Sequence, residues 1–163
     1  MKTIRSICTA LLLMAMVAGV KAQTATVNNV VVAYLDVKNA LVAGNASLAA
    51  TKAKALLGQI AAVKVDANQQ ADWKKYAGKL TADTRKISES TKVDQQRISF
   101  AALSSNIYQL VKATKGNTQA LYVQYCPMKK ASWLSTKKDI ENPYYGDEML
   151  ACGGVKETLA ASK

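Results

Sequence analysis

Apolar residues recur at spacings of three and four from residue 24 to about 115, and no proline interrupts them. That period places them on one face of successive helices. Val27, Val30, Tyr34, Val37 and Leu41 form the first stripe, Gly44 stops it, and Asn45 is placed to cap the next helix. The second segment, about 46–64, is alanine-rich, with Leu48, Leu56, Leu57, Ile60 and Val63 as its apolar content. Alanine favours the helix and lets neighbouring helices approach closely. Asp66, Ala67 and Asn68 break the pattern. A third stripe, about 69–88, carries Trp73, Tyr76, Ala77, Leu80 and Ile87. Thr91 with Asp94 reads as a capping box at the head of a fourth segment, about 93–115. Its stripe is Phe100, Leu103, Ile107, Leu110 and Thr114, with Ile98 and Val111 beside it. Trp73 and Phe100 are the expected core anchors. Four amphipathic helices joined by short polar loops predict a mainly α fold, an up-down four-helix bundle over residues 23–117.

The pattern changes after Asn117. Ala120 to Tyr125 alternates like a strand, and Pro127 should end it or hold it at an edge. Residues 129–136, with Trp133, read as a loop. Asn142-Pro143 and Tyr145-Gly146 are turn signals. Asp147 to Cys152 reads as a brief strand or one helical turn, and Val155 to Ala161 as a terminal helical turn. Residues 118–163 are thus expected to form a small irregular C-terminal subdomain, containing a short strand or hairpin, packed on the bundle.

The N-terminus reads as a secretory signal peptide over residues 1–22. Lys2 and Arg5 precede an apolar run from Ile7 to Val20, and Val20-Lys21-Ala22 offers small residues for cleavage. The run is short for a membrane span, and none follows, so no transmembrane anchor is expected. Cys8 precedes the run and leaves with it. Cleavage takes the Lys and Arg count from 22 to 19 against 11 acids, leaving +8. The lysines are scattered in singles and pairs, as on solvated helix faces, and no nucleic-acid motif accompanies them.

The remaining sulfurs gather in the C-terminal segment: Cys126, Met128, Met149 and Cys152. Thiolate and thioether sulfur suit Cu(I), Ag(I) and other soft ions. Positions 126 and 128 face one way in an extended chain, and 149 and 152 do so in a helical turn. A chain reversal after Pro143 would converge four sulfurs on one ion. Tyr125, Trp133, Tyr144 and Tyr145 would then shield the site. The other readings are a Cys126–Cys152 disulfide stapling a loop-rich segment, the only pairing two exported cysteines allow, and two unpaired buried thiols. The chain contains no histidine, which removes the commonest general base and zinc ligand. The adjacent acids Asp139 with Glu141 and Asp147 with Glu148 read as solvated loop residues. The pattern points away from an enzyme.

The stretches Tyr122-Val-Gln-Tyr-Cys-Pro-Met128, Trp133-Leu-Ser135, Ile140-Glu-Asn-Pro-Tyr-Tyr-Gly146 and Met149-Leu-Ala-Cys-Gly153, with Tyr34 to Val42 and Phe100 to Ser104, resemble an uncharacterised exported domain family of gram-negative bacteria. Its members stand alone or are fused to periplasmic adaptor subunits of heavy-metal efflux systems. The resemblance implies a periplasmic location and an association with copper- or silver-type efflux, with an adaptor as partner. Cys126, Met128, Met149 and Cys152 match its motif. The short Lys129-Lys130-Ala131 spacer departs from it.

Overall fold

The computed structural model of the chain describes residues 26–162. The expected signal peptide lies outside them. Four helices, α1 (Val27–Val42), α2 (Ala46–Ala62), α3 (Gln70–Glu89) and α4 (Val93–Thr114), precede three strands, β1 (Leu121–Cys126), β2 (Ala131–Ser135) and β3 (Gly154–Leu159). The strands form one antiparallel sheet in the order β2-β1-β3. The protein is therefore mainly helical, with a small C-terminal sheet. Each helix packs on its neighbour in the chain, and α4 also carries β2.

Local chemistry sets the helix ends. Thr26 and Asn29 form a reciprocal capping box at α1. Asn45 caps α2 by accepting the Leu48 amide at 2.9 Å. The box expected from Thr91 and Asp94 does not form: Lys92 takes the cap position of α4, which leaves Thr91 outside it. Asp94 instead approaches Arg97 at 3.6 Å.

One apolar core runs through the helices into the sheet. Phe100 is fully buried and stacks on Tyr34, ring centroids 5.2 Å apart. The Tyr34 hydroxyl meets Ser104 Oγ at 2.7 Å and accepts the Leu134 amide at 3.1 Å. One side chain of α1 thereby ties α4 to β2. Burial holds the Tyr34 hydroxyl well above its ordinary pKa, opposed by these two hydrogen bonds.

Two expected core positions are corrected. Trp73 is only half-buried and lines a shallow groove with Gln70, Lys74 and Ala77. Ile98 is 56 % exposed, because two residues of helix turn it roughly 200° away from Phe100.

The C-terminal segment is more regular than its sequence suggests. The expected loop at 129–136 contains β2, paired with β1 through Cys126↔Ala131, Gln124↔Trp133 and Val123↔Leu134. The chain reverses over Pro127–Lys130, with Lys130 at φ 53°. The expected terminal helical turn is β3, paired through Tyr125↔Gly154 and Leu121↔Leu159. Long-range pairing overrides the local preference of Lys156, Glu157 and Leu159 for helix. Between Gly146 and Glu148 the backbone makes one 3-10 turn. Gly146 sits at φ 57°, where an added Cβ would lie 2.6 Å from the Arg97 guanidinium and 2.9 Å from the Val42 carbonyl. Glycine therefore lets this segment lie directly on the end of α1.

Candidate functional site

Three devices fold the segment after β2 back over the sheet. Fully buried Gln124 directs its side-chain NH2 at the carbonyls of Lys137, Lys138 and Asp139, at 2.9, 3.1 and 3.0 Å. Asn142, also fully buried, uses every kind of group it has. Its backbone N–H donates to Leu150 O at 2.9 Å, its side-chain NH2 to Cys152 O at 2.8 Å, and its side-chain oxygen accepts the Tyr144 amide at 2.8 Å. Gly153, at φ 145°, lets the chain pass where a Cβ would lie 2.9 Å from Tyr125 O and 3.0 Å from the Trp133 ring.

These constraints bring two distant thiols together. Cys126, the last residue of β1, is fully buried; Cys152, just ahead of β3, is half-buried. Both are unbridged, and their sulfurs lie 3.1 Å apart. The Lys129 amide donates to Cys126 Sγ at 3.4 Å. Burial opposes ionisation of Cys126, but hydrogen bonds from the Cys152 thiol, the Lys129 amide, the Asn142 side chain and the Met128 amide outweigh it and bring Cys126 below the usual thiol range. Cys152 moves up, because its proton serves the hydrogen bond to Cys126 and burial adds to the shift.

The methionines stand differently. Met128 is 66 % exposed at the tip of the β1–β2 turn, while its main chain adjoins both sulfurs. Met149 is half-buried, and its carbonyl accepts the Cys152 amide at 3.0 Å. Around the thiols, Trp133 and Tyr144 are buried and meet edge to face at 5.8 Å, and Tyr144 O–H donates to Ser132 O at 2.6 Å. Tyr125 and Tyr145 are half-buried. Among the described residues no three His, Cys, Asp or Glu side chains cluster to hold an ion. The residues here that could hold a metal are two thiols with thioethers near them in the chain, donor types that suit a soft ion.

Sequence reasoning missed the supports: Asn142, Gln124 and the ion pair of Lys38. Lys38 lies one helical turn after Tyr34, and that place on the apolar stripe was the available signal. Its ammonium is buried and meets Glu141 at 3.1 Å; Lys137 reaches the same carboxylate at 3.0 Å. The pair borders a cleft of ≈ 360 Å³ between α1 and residues 135–150. Burial pushes the Lys38 pKa down, partly offset by Glu141. The Lys137 hydrogen bond, followed by Lys38, holds Glu141 below the usual carboxylate range against its burial.

A depressed carboxylate stabilises the fold above its unfolded pKa, and that contribution is lost as pH falls through the folded value. Lowered Lys38 contributes nothing favourable at neutral pH; it represents the cost of a buried charge. Glu141→Gln should therefore cost about 2 kcal/mol at pH 7, between the values for exposed and fully buried pairs. The deficit should start to shrink as pH falls below about 4.3, where the unfolded carboxylate protonates, and should vanish only at the lower pH where the depressed native carboxylate is protonated as well. Urea unfolding at pH 7 and pH 3 checks this; equal deficits at both would show that the pair does not act through charge.

Fold and site together define a small helical domain whose C-terminal sheet carries two adjacent thiols, one buried and one half-buried. The chain belongs to the family described as protein of unknown function (DUF3347), which matches residues 30–119, more than half of its length. The match covers most of α1 and all of α2, α3 and α4, and ends ahead of β1, so the thiol pair lies outside it. No curated protein and no solved structure matches. No helix among the described residues is long and apolar enough to cross a membrane.

Proposed function

We propose that this protein binds or relays a soft metal ion of the Cu(I) or Ag(I) type in the periplasm, beside a heavy-metal efflux adaptor. Cys126 and Cys152 supply the thiolates. Met128 offers a thioether from the solvent side, and Met149 a second from the approach to Cys152. The four helices act as an up-down bundle that serves as platform and supplies no reactive group. The observation that carries the reading is the 3.1 Å approach of two unbridged thiols separated by 26 residues. Depression of the buried thiol favours the form that binds metal. The same approach favours a second reading, a disulfide-stapled interaction module without metal, and the outward position of Met128 agrees with it.

Thiol counting followed by Cu(I) titration against a competing chelator separates the two. Reduced protein should take up one Cu(I), and Cys126→Ser should weaken binding at least ~100-fold, the upper end of what a supporting residue alone is worth. Unchanged affinity in that variant removes the metal reading and leaves the stapled module.

A further inference from the structure

We infer that the thiol pair is also a redox couple: once bridged, it is opened in the folded protein by a dithiol that attacks Cys152, and Cys126 departs as the leaving group. This chemistry needs no metal ion. It also differs from a static staple, which opens only after unfolding. The two sulfurs are unequal in access. Cys126 ends β1 inside the core with no exposed surface, whereas Cys152 is half-buried. Ala151, Gly153 and Gly154 around Cys152 are all exposed, and a Cβ added at Gly154 would meet nothing within 4 Å. None of these three residues carries more than a methyl group, so the chain on either side of Cys152 leaves room for a protein-sized reagent. In thiol–disulfide exchange a thiolate attacks one sulfur of the bridge while the other leaves. Burial of Cys126 therefore permits one order of events.

The surroundings suit that order. The Lys129 amide donates to Cys126 Sγ at 3.4 Å, and such a bond strengthens as negative charge collects on the sulfur. The Asn142 side chain holds the Cys152 carbonyl at 2.8 Å, and the Met149 carbonyl holds the Cys152 amide at 3.0 Å. The main chain at Cys152 thus stays fixed while the bridge opens and closes. In the first step the incoming sulfur bonds to Cys152 Sγ, the Cys126–Cys152 bond breaks, and its electron pair passes to Cys126 Sγ. In the second, the reductant's other thiolate attacks its own partner sulfur in the mixed disulfide and frees Cys152. The reductant ends as a disulfide, and the two protons it gives up match the two that Cys126 and Cys152 take. A dithiol fits better than a monothiol, because its second step is intramolecular and outruns recapture by Cys126.

The test has two arms. Oxidised full chain is treated with dithiothreitol in native buffer, beside a short unstructured peptide carrying one disulfide. The chain should be reduced within ~100-fold of the peptide's rate, since attack on an accessible sulfur needs no unfolding. Slower reduction than that would make the bridge a static staple and overturn the redox couple. In the second arm Cys126→Ser and Cys152→Ser, each with one thiol left, are mixed with oxidised glutathione, and the adduct is followed by mass spectrometry. Cys152 in the first variant should react at least ~100-fold faster than Cys126 in the second, which is reached only through local opening. Equal rates, or a faster Cys126, would overturn the assigned order. Circular dichroism confirms that both variants are folded, and the wild-type reduction rate stands without them. Failure in either arm leaves Cu(I) uptake by the reduced chain, and so the metal reading, untouched.

Discussion

Phe100→Ala should lower the free energy of unfolding by about 3–5 kcal/mol, the cost of emptying a packed aromatic site. Phe100 is fully buried, stacks on Tyr34 at 5.2 Å and meets Tyr144 at 5.9 Å. It therefore stands where α1, α4 and the segment that folds over the sheet converge. A cavity there cannot be refilled by one neighbour, because Tyr34 is tethered at its hydroxyl by Ser104 and the Leu134 amide. The damage should reach the thiols along the same contacts, since Tyr144 leans on Phe100 and Trp133 on Tyr144. Urea unfolding measures the first effect, and the rate of thiol modification at Cys126 in native buffer measures the second. Ile98→Ala, two residues away but exposed, should cost no more than about 0.5 kcal/mol. A loss under about 1 kcal/mol for Phe100→Ala would mean that the aromatic stack is not the hinge of this core.

Oxidation is the second large effect. Closing Cys126 to Cys152, 26 residues apart, should stabilise the protein by about 3.5 kcal/mol through loss of freedom in the unfolded chain. The native state needs little rearrangement, because the sulfurs already touch and Asn142 holds the backbone at Cys152. Urea unfolding with and without reductant should show this difference in the wild type and none in Cys126→Ser. The oxidised form should take up no Cu(I), since both thiolates are consumed. Equal stability of the oxidised and reduced chains would show that the bridge does not constrain the unfolded ensemble, and the stapled-module reading would lose its support.

Much of the helical half was legible residue by residue. Helical period needs only local information, so the stripes from Val27 to Leu41 and from Phe100 to Thr114 coincide with buried faces, whereas in the second segment Leu48 is exposed and Leu57 and Val63 are only half-buried. Asn45 caps as its side chain dictates. The misreadings occur where a residue's place depends on distant chain. Trp73 looks like a core anchor, yet it stands early in α3, at the periphery. Lys38 looks like surface charge, yet it is buried because Glu141, 103 residues away, folds onto it. Strands β2 and β3 look like loop and helical turn in the sequence, because only β1 between them makes extended structure favourable.

By itself the sequence determined four helices, most of their ends and the buried faces of α1 and α4, and the concentration of sulfur between residues 126 and 152, since propensity, period and composition are local properties of the chain. Only the tertiary structure decided that Cys126 and Cys152 meet and that Met128 points to water. Those facts depend on antiparallel register and on the buried hydrogen bonds of Asn142 and Gln124, which join segments that sequence spacing leaves independent.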